Sequence, residues 1–73
     1  MTRVEALDAL EDVLDVEKGS LSEDTQLNGL DAYDSMAKLS IIVFADDDFG
    51  KKLTGEQIRD FKTIGHILDF LLA

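Results

Sequence analysis

Apolar residues in this chain recur at spacings of three and four, and no stretch alternates convincingly with the period of two that a half-buried strand requires. Near the start, Val4, Leu7, Leu10 and Leu14 stand at helical spacing with Val13 beside them, while Glu5, Asp8, Glu11 and Asp12 take the other side. Thr2 followed by Glu5 has the form of a capping box, which predicts a helix over roughly 3–15. A second helix is predicted from Ser35 to Phe49, with Met36, Leu39, Val43 and one of Ile42 or Phe44 as its buried stripe. Its middle, IIVFA, is apolar nearly all round, which suits a central helix, and Gly50 suits its C-terminal stop. Thr54, or Gly55 beside it, opens a short helix carrying Ile58 and Phe61. Thr63 then caps a last helix built on Ile64, Ile67, Leu68 and Leu71. The expectation is an all-α fold. It is a small four-helix bundle of three main helices and one short one, antiparallel or nearly so, within a single domain over 1–73.

A chain of 73 residues without cysteine has no disulfide to lean on, and a core of this size supplies only about 3–5 kcal/mol. Helix packing must therefore carry the fold. Between the first two helices lies a long loop, 16–34, holding Gly19, Gly29 and the isolated apolar residues Val16, Leu21, Leu27 and Leu30. Those leucines are expected to pin the loop to the bundle, and a loop of this length in a small domain is often functional.

Sixteen acids against seven bases give a formal charge of −9. Such a chain cannot neutralise a phosphate backbone or an anionic bilayer surface, so nucleic acid and membrane surfaces are excluded as expected partners. No apolar run reaches the roughly 18–20 residues of a membrane span, and acids come too early for a secretory signal; the expected location is cytoplasmic. A basic patch on a protein partner is the natural complement of this charge. Asp46, Asp47 and Asp48 concentrate it at the C-terminal end of the second helix. There each acid opposes the helix dipole at a cost of about 0.3–1 kcal/mol, with Lys51 and Lys52 placed to offset part of it. That cluster, with Asp31, is a candidate partner-binding surface as well as an ordinary solvated helix end.

Catalytic and metal chemistry find little support. His66 is the only histidine and sits among Ile64, Ile67 and Leu68 on the last helix; a structural or surface role suits it better than that of a catalytic base. One histidine and no cysteine exclude a conventional zinc site. The stretch DDDFGKKLTGE fails as an EF-hand loop in both registers. With Gly50 at position six, position one is Ala45 and position five Phe49; starting at Asp46, position six is Lys51 and position twelve Gln57.

Ser35 is the residue with two readings. A serine at a helix start caps a backbone N–H, yet Asp34 can do the same, so the pair is redundant as capping alone. The exposed N–H groups and positive dipole end of a helix N-terminus would also stabilise a phosphate esterified to Ser35, against some repulsion from Asp34. Residue chemistry leaves both readings open and favours the plain cap.

The segment Asp34-Ser35-Met36, followed by an apolar helix, three acids and Phe49-Gly50, resembles the acyl carrier protein family, in which Asp-Ser-Leu opens the second helix. The likeness extends over nearly the whole chain: helix, long loop, second helix, short helix, final helix. It implies that Ser35 bears a covalent 4'-phosphopantetheine, flanked by Asp34 and Met36, with the thiol of that arm holding acyl intermediates as thioesters. The chain would then be a non-catalytic carrier. Its partners would be a phosphopantetheinyl transferase, an acyl- or aminoacyl-loading ligase, and biosynthetic enzymes with basic docking patches. Met36, Leu39, Ile58 and Phe61 become candidates to line a shelter for the acyl chain.

Departures from the family pattern narrow the expectation. Met36 stands where leucine is usual, a nearly volume-conserving change. Ala37 and Ser40 stand where many fatty-acid carriers have acids, and Lys38, a further candidate partner-binding residue, adds a positive charge. The thinned acidic face favours a dedicated pathway in specialised lipid, polyketide or amino-acid loading over general fatty acid biosynthesis. The start at Met1 and the stop just past the last helix suggest a free-standing carrier, and a monomer is expected. An aminoacyl or peptidyl carrier on the same scaffold is the near alternative; a helical adaptor without a prosthetic group is the distant one.

Overall fold

A computed structural model describes all 73 residues. Four helices form in the order α1 (Arg3–Leu14), α2 (Ser35–Phe49), α3 (Gly55–Asp60) and α4 (Ile64–Leu72), with a single 3-10 turn at Leu27–Gly29 between α1 and α2. Strand pairing is confined to one isolated antiparallel bridge between Gln26 and Thr63. The all-α expectation and the element order hold, and three helix starts are secured by the predicted local chemistry. Thr2, Thr54 and Thr63 each accept a backbone N–H three residues on, and the third residue's side chain returns a bond to the cap. At the end of α2, Gly50 takes a left-handed conformation, φ 63°. Its N–H donates to the Asp46 carbonyl at 3.0 Å and the Lys51 N–H to the Ala45 carbonyl at 3.0 Å.

One cluster of fifteen buried apolar residues holds the helices together, with Leu10, Leu27, Ile41, Ile64, Ile67, Leu68 and Leu71 its largest fully buried members. α1 packs on both α2 and α4, and α2 also touches α4. The long loop is part of this core: Leu21 and Leu27 are buried, and Val16 and Leu30 pack against the cluster. Three backbone bonds tie the loop to the start of α4. Leu27 N–H donates to Lys62 at 2.9 Å, Ile64 N–H to Thr25 at 3.1 Å and Gly65 N–H to Glu23 at 2.9 Å. Gly65 is buried against this loop, and a Cβ there would come to 3.0 Å from the Glu23 carbonyl oxygen.

The buried faces of the first two helices differ from those expected. On α2, Met36 is 72 %, Leu39 57 % and Val43 51 % exposed, whereas Ala37, Ile41, Phe44 and Ala45 are buried. Apolar residues lie so evenly round this helix that periodicity does not choose its inner face. The small side chains of Ala37 and Ala45 mark the side that the neighbouring helices approach. On α1, the inner face is Ala6, Leu10 and Leu14, with Leu7 and Val13 at its margins. Val4 lies roughly 200° round the helix from Ala6 and is exposed.

Glu11, expected on the solvent side, is buried. Its Oε2 accepts the Gly19 N–H at 2.8 Å and the Leu21 N–H at 3.0 Å, so the carboxylate satisfies two loop amides that the helices cannot reach. Phe61 follows α3 instead of lying within it. Its backbone is extended at φ −70°, ψ 134°, and its ring packs against Phe70 at 6.0 Å between centroids.

Candidate functional site

The N-terminus of α2 is capped by Asp34. Its Oδ1 accepts the Ala37 N–H at 2.9 Å, and its own backbone is extended. Ser35 is therefore the first residue of the helix, and the cap does not draw on its hydroxyl. The side chain is exposed and faces an open groove of about 790 Å3 between α2 and α3. One wall is Ser35, Lys38, Leu39 and Ile42; the other is Thr54, Gly55, Glu56, Ile58 and Arg59.

The front of the groove is braced by the loop. Tyr33 donates its hydroxyl hydrogen to the Ile58 carbonyl at 3.2 Å, which links the residues before α2 to α3. Burial of the phenol pushes its pKa above the ordinary tyrosine value, since an ionised ring would lose solvation. The Lys38 ammonium lies 5.3 Å from the centre of the same ring.

The outer side of α2 carries a second, smaller groove of about 460 Å3. It is lined by Val13 of α1 and by Met36, Leu39, Ser40, Val43, Phe44, Asp47 and Asp48. Here the three exposed apolar side chains, Met36, Leu39 and Val43, run along one flank of the helix and end at two aspartates.

The structure thus brings together Ser35, Lys38, Leu39 and Ile58 in one groove, and Met36, Leu39, Asp47 and Asp48 in the other. Phe61 lines neither. Asp46 is exposed and lies 3.8 Å from the Lys52 ammonium, whereas Lys51 turns away from the acids to donate to the Ala73 carbonyl at 2.8 Å. Asp31 is exposed in the loop ahead of Asp34. No group of three or more acidic or histidine side chains converges as a metal site. His66 serves the start of α4, where its Nδ1 accepts the Lys62 N–H at 3.0 Å and the Thr63 N–H at 3.3 Å.

Sequence reasoning did not single out Arg59, Thr54 or Glu56 for the first groove, nor Val43 for the second. Val43 shares the apolar character of its neighbours, so the sequence pattern places it in the core. Arg59 carried a readable signal, being a lone cation one residue after the buried Ile58 on the short helix.

Comparison with known proteins gives a consistent picture. The chain is 30% identical over 59 residues to an acyl carrier protein of Tropheryma whipplei (strain Twist), covering 80% of this chain and 71% of that protein. It is 31% identical over 65 residues to an acyl carrier protein of Lactobacillus acidophilus, covering 88% and 80%. The fold is similar to the solution structure of the holo acyl carrier protein from Geobacter metallireducens, with a TM-score of 0.74 and 25% identity, covering 97% of this chain and 83% of that one. No protein-family model matches the chain.

Proposed function

The chain belongs to the acyl carrier protein family, and from that premise we propose that Ser35 bears a covalent 4'-phosphopantetheine through its hydroxyl oxygen. The observation that carries this reading is the division of labour at the start of α2. Asp34 does the capping, which leaves the exposed Ser35 hydroxyl free at the mouth of a groove. The groove fits such a group: Leu39, Ile42 and Ile58 offer apolar wall, and Lys38 and Arg59 offer positive charge to a phosphate. When attached, the group supplies a thiol that holds an acyl chain as a thioester.

The chain's own residues position and present. Asp34 fixes the first turn of α2 and with it the direction in which Ser35 leaves the helix. Ala37 and Ile41 anchor the helix to the core, so Ser35 stands on a rigid element. Tyr33 holds the loop against α3 and keeps the groove's front wall in place. The flank of Met36, Leu39 and Val43, ending at Asp47 and Asp48, is the docking face. It suits an enzyme surface with an apolar centre and a basic edge. A phosphopantetheinyl transferase is the first such partner, and loading and chain-building enzymes follow. The role is that of a carrier, not a catalyst. One core cluster spanning all four helices supports reading 1–73 as a single carrier domain.

Intact-mass measurement after incubation with coenzyme A and a broad-specificity transferase tests the assignment. Wild type gains the mass of the arm and Ser35→Ala gains none. A gain retained in Ser35→Ala would place the attachment elsewhere, and no gain in wild type would remove the basis for the carrier reading.

A further inference from the structure

The positive charges of this acidic chain are distributed unevenly. Of seven lysines and arginines, Arg3 pairs with Glu23 and Asp69, Lys18 with Asp8 and Asp12, and Lys52 with Asp46, while Lys51 donates to the Ala73 carbonyl. The Lys38, Arg59 and Lys62 side chains form neither an ion pair nor a hydrogen bond, although the chain has sixteen acids. Two of these three, Lys38 and Arg59, line the groove that contains Ser35, one from each wall. Glu56 lines the same groove and forms no salt bridge with either. Two cations left unpaired in a chain of net charge −9, facing each other across one groove, mark a place built for an anion that the chain does not itself provide.

We propose that Lys38 and Arg59 form a two-sided clamp for a phosphodiester carried on Ser35, holding the first bonds of the arm within the α2–α3 groove. The proposal rests on the reading of Ser35 as the attachment residue. Lys38 is three residues beyond Ser35, on the same face of α2, where side chains of adjacent turns meet. It is half-buried, with its ammonium 5.3 Å from the centre of the Tyr33 ring, at the side of the groove from which Ser35 projects. Arg59 comes from the opposite wall with a planar fork that binds phosphate oxygens in pairs. An anion between them is attracted from both sides without displacing an existing ion pair. The consequence is an arm whose phosphate end moves with the protein, while its thiol end stays free to reach partner enzymes.

The test uses protein loaded with coenzyme A and a transferase, with 31P NMR reading the phosphodiester in wild type and in Lys38→Gln/Arg59→Gln. Intact mass is measured on each sample first, and circular dichroism confirms that the variant, altered only at two surface positions, is folded. In wild type the 31P line is expected broad and shifted from that of free phosphopantetheine. In the double variant it is expected to narrow and move toward the free value. Raising salt from 0.1 to 1 M, which shortens the screening length from about 10 to 3 Å, should move wild type the same way. Loaded wild type and loaded variant with the same shift and linewidth would overturn the clamp and leave Ser35 as the attachment site. Failure of wild-type Ser35 to load with any transferase would instead overturn the attachment reading, and the clamp with it. If only the double variant fails to load, the salt series on loaded wild type decides, and a line unmoved between 0.1 and 1 M overturns the clamp.

Discussion

Asp34 Oδ1 accepts the Ala37 N–H at 2.9 Å, and that bond separates two jobs that adjacent residues could otherwise share. The aspartate holds the helix start; the serine beside it is left with an exposed hydroxyl. In a helix that begins with a residue to be modified, this arrangement keeps the cap intact whether or not the serine is derivatised.

The two substitutions should therefore part company. Asp34→Ala is expected to lower stability by about 1 kcal/mol, the usual loss for an N-cap. Ser35→Ala should change it by less than about 0.5 kcal/mol, as at exposed positions without a structural bond. Urea unfolding of both variants provides the measurement. A Ser35→Ala loss as large as that of Asp34→Ala would mean that the serine is a capping residue after all.

Glu11 anchors the long loop. Its carboxylate is 3 % exposed and is the acceptor for the Gly19 and Leu21 amides. Glu11→Ala leaves the Leu21 N–H buried without a partner and removes two bonds to a charged acceptor, at an expected cost of about 2–3 kcal/mol. Glu11→Gln keeps an acceptor oxygen and should lose less. Amide exchange at Leu21 reads the same event locally: protection should collapse in Glu11→Ala. Retained protection would show that the loop is held by its leucines alone.

Much of this architecture was legible from local chemistry. The Thr2–Glu5 capping box, the helix-opening Thr54 and Thr63, Gly50, and the stripe Ile64, Ile67, Leu68 and Leu71 each specify their element without help from distant residues. The inner face of α2 was not legible, because Met36, Leu39 and Val43 match Ile41 and Phe44 in apolar character. Only the packing of α2 against α1 and α4, which buries Ala37 and Ala45, decides between them. Glu11 was read as solvent-facing for a related reason: what buries it is a pair of backbone amides eight and ten residues away, and backbone donors leave no mark on a side-chain pattern. Ser35 was legible as a residue of interest, but its release from capping depended on which of two neighbouring acceptors took the Ala37 amide.

Tyr33 gives the fold an alkaline limit. Burial favours the neutral phenol, so its pKa is raised in the folded state. The stability that follows is fully present below the unfolded value near 10, and is lost as pH rises through the higher folded value. Tyr33→Phe removes both this titration and the bond to the Ile58 carbonyl, worth about 1 kcal/mol. The difference in unfolding free energy between wild type and Tyr33→Phe should be constant from pH 8 to about 9.5 and shrink above about 10. A difference independent of pH across that range would show that the phenol does not contribute in this way.

Sixteen acids in a chain with radius of gyration 10.8 Å repel one another, and only part of that charge is paired. Added salt or magnesium should raise the melting temperature. Each 1 kcal/mol of repulsion removed corresponds to about 4–8 °C in a chain of this size. Melting at identical temperature in 0.05 and 1 M sodium chloride, and with or without magnesium, would mean that repulsion is not a significant term in this fold.

The proposed docking face can be separated from the core because its apolar residues are exposed. Val43 is 51 % exposed on the outer flank of α2, about two turns from Ser35 and next to the Asp47 and Asp48 end of the groove. Val43→Asp places a charge at the centre of the surface that a partner must desolvate, while no buried contact of the core is removed. Its melting temperature should stay within about 3 °C of wild type, as expected of a surface change below about 0.5 kcal/mol. The kcat/KM for transferase loading at Ser35 should fall on the order of tenfold, equivalent to about 1.4 kcal/mol. Val4→Asp, at an exposed position of α1 outside both grooves, controls for charge alone: it should leave both melting temperature and loading near wild type. Unchanged loading in Val43→Asp would remove this flank from the docking surface and leave the acids of the loop and helix end as the contacts to test.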